Sequence, residues 1–223
     1  MAARDYAAEF ESSYGVIYRA YLRDGEDFTG GAKRAAREMA DEQEEQDNLL
    51  FASHGGLEKV HRRLMAKWKD ESRALSLNAA EERLIIRLSL ESAHLAPVTV
   101  RKVSDLVGYG VFADRAIRRH DVIGEYTGVL RRNRPGDEQN HYLASTKPYG
   151  RFNDFVIDGQ LEGNLTRFIN HSFKSPNVRS EHVFHELRWH RLLRADRDIG
   201  AGEQILWNYG EDYWRSREAP AEL

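Results

Sequence analysis

Pro97 divides this chain into two grammars, and that break limits the folds open to it. Before it, apolar residues recur at close to helical spacing: Phe10, Tyr14, Ile17, Tyr18 and Tyr21 within residues 6–22, then Leu57, Val60, Leu64 and Trp68 within residues 57–75. Between these two stretches, residues 32–51 are rich in Ala, Glu and Gln, which lose little side-chain freedom in a helix. Gly25, Gly30-Gly31 and Gly55-Gly56 separate the segments. Asn78, with Glu81 three residues later, predicts a capping box that opens a helix running to about His94. After Pro97 the runs are short and β-branched or aromatic, at residues 98–103, 111–112, 122–126, 155–157, 178–193 and 204–206, with Gly-rich turns between them. A helical turn is expected around residues 161–168. The pattern predicts an α+β chain: a helical region at residues 1–97, then a compact β-rich domain at residues 98–223.

Bulk properties narrow the function classes. The 223 residues suffice for one good-sized domain, or two small ones, with a real core. No apolar run approaches the ~20 residues of a membrane span, and the first residues lack the basic-then-apolar order of a secretory signal, so a cytoplasmic protein is expected. With no cysteine, disulfides, thiol catalysis and cysteine-ligated zinc are ruled out, and no metal is expected. A net charge of −3 gives no bulk argument for nucleic acid, whose contact would be indirect at most. The part up to Pro97 carries −4 and the remainder +1, which suits a solvated helix face as well as attraction of a basic substrate.

Four strings, and a short stretch at His141-Tyr142-Leu143, carry chemistry in the second half. Gly108-Tyr109-Gly110 sits before an apolar Val-Phe pair; its glycines permit a sharp turn and close approach of a ligand, although a plain hairpin turn needs them equally. Tyr126 ends the run Asp121-Val122-Ile123-Gly124-Glu125, and Tyr142 lies in His141-Tyr142-Leu143. Arg167-Phe168-Ile169-Asn170-His171-Ser172 is the most specific string; the Asn170 amide both donates and accepts, which suits an amino-acid-like ligand. Gly202-Glu203-Gln204-Ile205-Leu206-Trp207-Asn208-Tyr209-Gly210 completes the set.

In this order and spacing the strings resemble the signature of the SET-domain protein lysine methyltransferases over residues 98–223. The resemblance implies a β-rich fold of short strands with a pseudoknot, S-adenosylmethionine as methyl donor and S-adenosylhomocysteine as product. It implies Tyr209 and Tyr126 as catalytic tyrosines. Gly108, Tyr109, Gly110, Tyr142, Arg167, Asn170 and His171 would serve the cofactor, and Trp207 and Trp214 the substrate channel. The substrate it implies is a basic protein or peptide, a histone tail above all.

Departures from the family pattern matter. Trp207 stands where Phe or Tyr is usual; its larger ring would narrow the channel and favour monomethylation, or, if displaced, enlarge it. Phe173 stands where cysteine is common, and the cysteine–zinc modules are excluded, so Tyr213-Trp214 would form a short metal-free aromatic lid. The lack of such modules resembles bacterial or viral relatives, and a bacterial effector would be delivered to a host nucleus. His182, His185 and His190 read as strand-surface histidines rather than a metal cluster, and the arginines at 115, 118, 119, 131, 132 and 134 as solvated loops. Two other functions stay open: a catalytically silent SET-fold module that binds a peptide or partner, and a helical half that serves assembly, including homo-oligomer formation.

Overall fold

The computed structural model describes residues 6–70, 75–215 and 217. Helix α1 (Tyr6–Tyr14) stops where Gly15 takes a φ of 65°, a left-handed turn that glycine makes without steric cost. The helix expected over residues 6–22 is therefore short. Its second half becomes two strands, β1 (Ile17–Tyr18) and β2 (Arg23–Asp24). Three helices follow: α2 (Gly30–Ser53), α3 (Leu57–Lys69) and α4 (Ala79–Glu91). The expected extension of the third helix towards residue 75 crosses residues 71–74, which lie outside the described residues, as do residues 1–5 and most of the C-terminal tail.

The capping box forms as the sequence predicts. Asn78 Oδ1 accepts from the Glu81 amide at 3.0 Å, and Glu81 Oε2 accepts from the Asn78 amide at 3.0 Å. Glu81 is wholly buried and also receives Lys67 Nζ at 2.6 Å, so the cap of α4 fastens α3 to it.

After Pro97 come β3 (Val98–Ser104), β4 (Gly108–Ala113), β5 (Val122–Glu125), β6 (Val129–Arg132), β7 (Leu143–Ser145), β8 (Phe155–Asp158), β9 (Glu162–Gly163) and β10 (Asn170–His171). They are followed by β11 (Val178–His185), β12 (Arg188–Ala195), β13 (Gln204–Trp207) and a last helical turn, α5 (Glu211–Trp214). The long run at residues 178–193 is a hairpin. Glu186 and Leu187 turn it at φ 44° and 69°, in the reversed two-residue geometry that matches strand twist.

The strands form a sheet ordered β3-β4-β13-β11-β12-β5, with β10 beside β13, a second sheet ordered β2-β6-β8-β7, and a β1–β9 pair. The architecture is α+β. Because β1 pairs with β9 and β2 with β6, both in parallel, residues ahead of Pro97 supply strands to the β-rich part. The main core crosses the same line, packing Phe10, Phe28 and Ala36 with Leu130, Ile157, Ile169, Leu193 and Ile205. A smaller cluster joins Val60, Leu64, Leu84 and Ile85 of α3 and α4 to Val122, Val183 and Leu192 of the sheet. Arg194, wholly buried, ties the two parts through Glu82 on α4 at 2.7 Å and Glu181 on β11 at 3.3 Å. No helix among the described residues is long and apolar enough to cross a membrane.

Candidate active site

The site begins at the pairing of β5 with β12. The Tyr126 amide donates to the Arg191 carbonyl at 2.8 Å, so these two residues sit opposite each other. Side chains alternate along a strand, so their predecessors Glu125 and His190 share the other face. There Glu125 Oε1 and His190 Nδ1 are 2.6 Å apart, both side chains buried, and His190 Nε2 lies 3.0 Å from the His185 carbonyl. His190 is thus a core residue and not the surface histidine that the sequence suggested. The Glu125 carbonyl in turn accepts from Asn164 Nδ2 at 3.0 Å and Thr166 Oγ1 at 3.1 Å. The strands that carry Tyr126 and Arg191 are therefore held from behind by a polar pair and from the side by the loop before the Arg167 string.

In front lies a cavity of about 930 Å³ whose walls include Tyr126, Arg167, Arg191, Trp207, Tyr209 and Tyr213. Tyr209 is oriented at both ends. Its hydroxyl donates to the Ile169 carbonyl at 2.6 Å, and its amide donates to His171 Nδ1 at 3.1 Å. The Tyr126 hydroxyl donates to the Tyr142 carbonyl at 2.9 Å. Burial pushes the pKa of both phenols well above the usual value for tyrosine, so each keeps its proton. Buried Trp207 touches both, its ring centroid 5.1 Å from that of Tyr209 and 6.3 Å from that of Tyr126.

Two cations complete the walls. Arg167 lies with its guanidinium 3.8 Å from the Tyr142 ring centre, and donates to the Gly159 and Gln160 carbonyls at 2.7 and 3.1 Å. Arg191 lies 5.0 Å from the Trp207 ring centre. Burial lowers the pKa of both, and that of Arg191 falls to about 10. Exposed acids, Glu138, Glu211 and Asp212, also border the cavity.

The remaining predicted residues gather beside this cavity, not in its wall. Gly108 needs its freedom, with φ at 77°, and Gly110 needs its lack of a side chain. A Cβ on Gly110 would meet Gln204 Nε2 at 2.7 Å, Val103 at 2.8 Å and Asn170 Nδ2 at 3.0 Å. Asn170 Nδ2 donates to the Tyr109 carbonyl at 3.0 Å, joining the first motif to the third. Parallel pairing of β10 with β13 puts Asn170 beside Leu206 and His171 beside Trp207, joining the third to the fourth. Asn177, fully buried, fixes β13 by donating to the Gln204 carbonyl at 2.8 Å and accepting from the Leu206 amide at 2.8 Å.

His171 accepts at Nδ1, so its proton sits on Nε2, and burial lowers its pKa. That Nε2, with Gln204 Nε2 and Trp214 Nε1, forms a set of buried donors lacking a partner among the described residues. Trp214 packs on His171 at 4.8 Å between ring centroids and stacks parallel to Tyr209 at 6.2 Å. It lies on the His171 side and not on the cavity wall where the sequence placed it. Tyr142 contributes its carbonyl to Tyr126 and its ring to Arg167. Sequence reasoning passed over Arg191, Gln204, the Ile169 carbonyl and the Glu125–His190 pair. Alternation outward from Tyr126 would have flagged Glu125; nothing local marks the others.

A family model described as the SET domain matches residues 108–210. The histone-lysine N-methyltransferase EZH2 of Chaetomium thermophilum is similar at 29% identity over 116 residues, 48% of this chain and 8% of that protein. The histone-lysine N-methyltransferase, H3 lysine-4 specific, of Schizosaccharomyces pombe is 32% identical over 105 residues, 45% of this chain and 11% of that protein. Among solved structures, the Chaetomium thermophilum polycomb repressive complex 2 aligns with a TM-score of 0.51 at 26% identity, covering 60% of this chain and 18% of that one. The chain thus spans about a tenth of the length of these curated relatives. Residues 108–210 are a SET domain, and histone-lysine methyltransferases are among its relatives.

Proposed function

We propose that this SET domain is a protein lysine N-methyltransferase that uses S-adenosylmethionine and acts on lysines of histones or histone-like basic proteins. One observation carries the reading. Tyr209 borders the cavity by its ring while its amide is bonded to His171, so one residue joins the aromatic cavity to the cluster of unpartnered donors. That cluster fits an amino-acid-bearing nucleoside. Gly110 leaves room where any Cβ would collide, and Gln204, His171 and Trp214 offer buried N–H groups that a carboxylate or a purine nitrogen would satisfy. Those residues, with Asn170 and the backbone of residues 108–110, would hold the cofactor, which supplies an electrophilic methyl on a sulfonium.

The chain's own residues prepare the acceptor. Free lysine has a pKa of about 10.4 and is mostly protonated at neutral pH, so it must shed a proton before it attacks. Burial among Tyr126, Trp207 and Tyr209 disfavours the ammonium, and the charges of Arg167 and Arg191 oppose it further. The acids at the cavity's border attract the cationic side chain before it enters. Tyr126 and Tyr209, protonated and fixed by carbonyls at 2.9 and 2.6 Å, hold the amine in line with the methyl. No dedicated strong base is required. The histone class rests on relatives named for histone lysines; the site of action, in the cell's own cytoplasm or on host chromatin, follows from the substrate.

The test is transfer of labelled methyl from S-adenosylmethionine to histones and to a bacterial lysate, with Tyr209→Phe alongside. Labelled bands that vanish in the variant support the enzyme. Absence of label from folded protein favours the silent binding module.

A further inference from the structure

The SET-domain reading leaves Arg191 without a task. Its guanidinium stands at the aromatic end of the cavity, 5.0 Å from the Trp207 ring centre, and its backbone carbonyl is the partner of Tyr126. Every contact it makes is neutral. Nη1 donates to the Ser145 carbonyl and hydroxyl, each at 3.2 Å, and lies 2.8 Å from His182 Nε2. Burial and the charge of Arg191 itself lower the pKa of His182, so the ring is neutral and accepts from the guanidinium at Nε2. Nε of Arg191 is buried and has no partner among the described residues.

Several other arginines of this chain are treated differently, although Arg167, in the same cavity, is likewise held by carbonyls. Arg131 is clasped by Asp137 and Asp158 at 2.7 and 2.8 Å, Arg134 by Asp27 at 2.8 Å, and Arg194 by Glu82 and Glu181. Arg191 has no carboxylate within ion-pair distance among the described residues, although burial makes its charge costly. A buried guanidinium in a cavity wall, held by neutral acceptors and with an unpartnered Nε, is suited to receive a planar oxyanion. His182 and Ser145 fix the fork, and Trp207 supports its flat face.

We propose that Arg191 is a specificity residue that reads a carboxylate on the substrate, close to the methylated lysine. This rests on the methyltransferase reading of the same cavity. The preferred sequence then combines a basic context, which suits the acids bordering the cavity, with one acidic group beside the target. That group is an Asp or Glu side chain flanking the lysine, or the C-terminal carboxylate of a substrate whose lysine lies near its end.

The test uses the full chain and nine-residue peptides centred on lysine, in which each flanking position in turn carries Glu or its uncharged counterpart Gln. A further set has the lysine near the end, as free acid or amide. Methyl transfer and peptide binding are measured separately for the wild type, R191Q, R191K and R191E. The expected result is a Glu-over-Gln preference of roughly tenfold in kcat/KM at one position, as a charge-assisted hydrogen bond supplies. The preference collapses to about unity in R191Q, is partly kept in R191K, and inverts towards a Lys-flanked peptide in R191E. Inversion is an outcome that a merely structural role does not produce. Preference for the free acid over the amide assigns the carboxylate to a chain end. Turnover without any Glu or free-acid preference overturns the subsite and leaves the methyltransferase standing. Acid-selective binding through Arg191 without turnover on any peptide keeps the subsite and overturns the enzyme. No binding and no turnover overturns both.

Discussion

The two sides of Tyr209 are built on opposite terms. On the cavity side the walls are large rings and two cations, and the phenols of Tyr126 and Tyr209 are each paired with a carbonyl. On the His171 side stand Gly110, Gln204, His171 and Trp214, and Nε2 of Gln204, Nε2 of His171 and Nε1 of Trp214 are buried without a partner among the described residues. Paired phenols in a desolvated wall can position a group and disfavour its charged form. An unpaired donor set pays a burial cost until a ligand satisfies it, which makes it suited to binding. Under the proposed function the difference assigns orientation to the cavity side and capture to the His171 side.

Substitutions can break that division. The largest effect is expected at Tyr209→Phe, which keeps the ring and removes the hydroxyl that fixes it to Ile169. Turnover should fall by at least ~10²-fold while affinity for S-adenosylmethionine, read by calorimetry, changes less than about threefold. An equal loss of both would mean that the two sides act as one. Next comes Glu125→Ala, which strands buried His190 behind the cavity strands. Leaving one partner of such a buried hydrogen-bonded pair unsatisfied should cost about 1–3 kcal/mol in chemical denaturation. A cost below about 1 kcal/mol would show that the pair does not support the wall.

Gly110→Ala acts on the other side. The contacts at 2.7 and 2.8 Å that its methyl would make leave no space, so cofactor affinity should weaken by about 10- to 100-fold, in line with 1–3 kcal/mol for overpacking. Mass spectrometry sharpens the cavity side. Trp207 packs against both tyrosines, so the wild type should yield mainly monomethyl-lysine, and Trp207→Phe should admit further methyls. Mostly trimethyl product from the wild type would refute this.

The smallest effect is on acid stability. Burial lowers the pKa of His171 on one side and of His182 on the other, and likewise of His94, His120 and His185. Below the unfolded value of about 6.5 the unfolded chain binds more protons than the native one, so stability is full above that pH and declines as pH falls through it. Thermal melts at pH 7.5 and 5.5 should show a lower Tm at the acid end. A flat response would mean that these rings are protonated in the fold.

How much of this was legible in the chain varies by element. The capping box at Asn78 and Glu81 was readable because both partners lie within one turn. The motif strings were readable because each is contiguous. The early end of α1 was not, since tyrosines spaced for a helix also suit strands, and Gly15 alone decides it by adopting a left-handed φ. The hairpin after His185 was hidden for the opposite reason. Its turn is Glu186-Leu187, residues that carry no turn signal and adopt positive φ only because the pairing of β11 with β12 demands it.

The sequence by itself determined the α+β class and the order of the motifs that contain Tyr126, Asn170, His171 and Tyr209, because those depend on local spacing. Tertiary structure alone decided that His190 is buried against Glu125, that Trp214 faces His171, and that Arg191 stands in the cavity wall with no carboxylate at ion-pair distance among the described residues. The physical reason is strand pairing. It places Tyr126 opposite Arg191, 65 residues away in the chain, and period-two alternation then sends their neighbours to the core and these two side chains to the cavity.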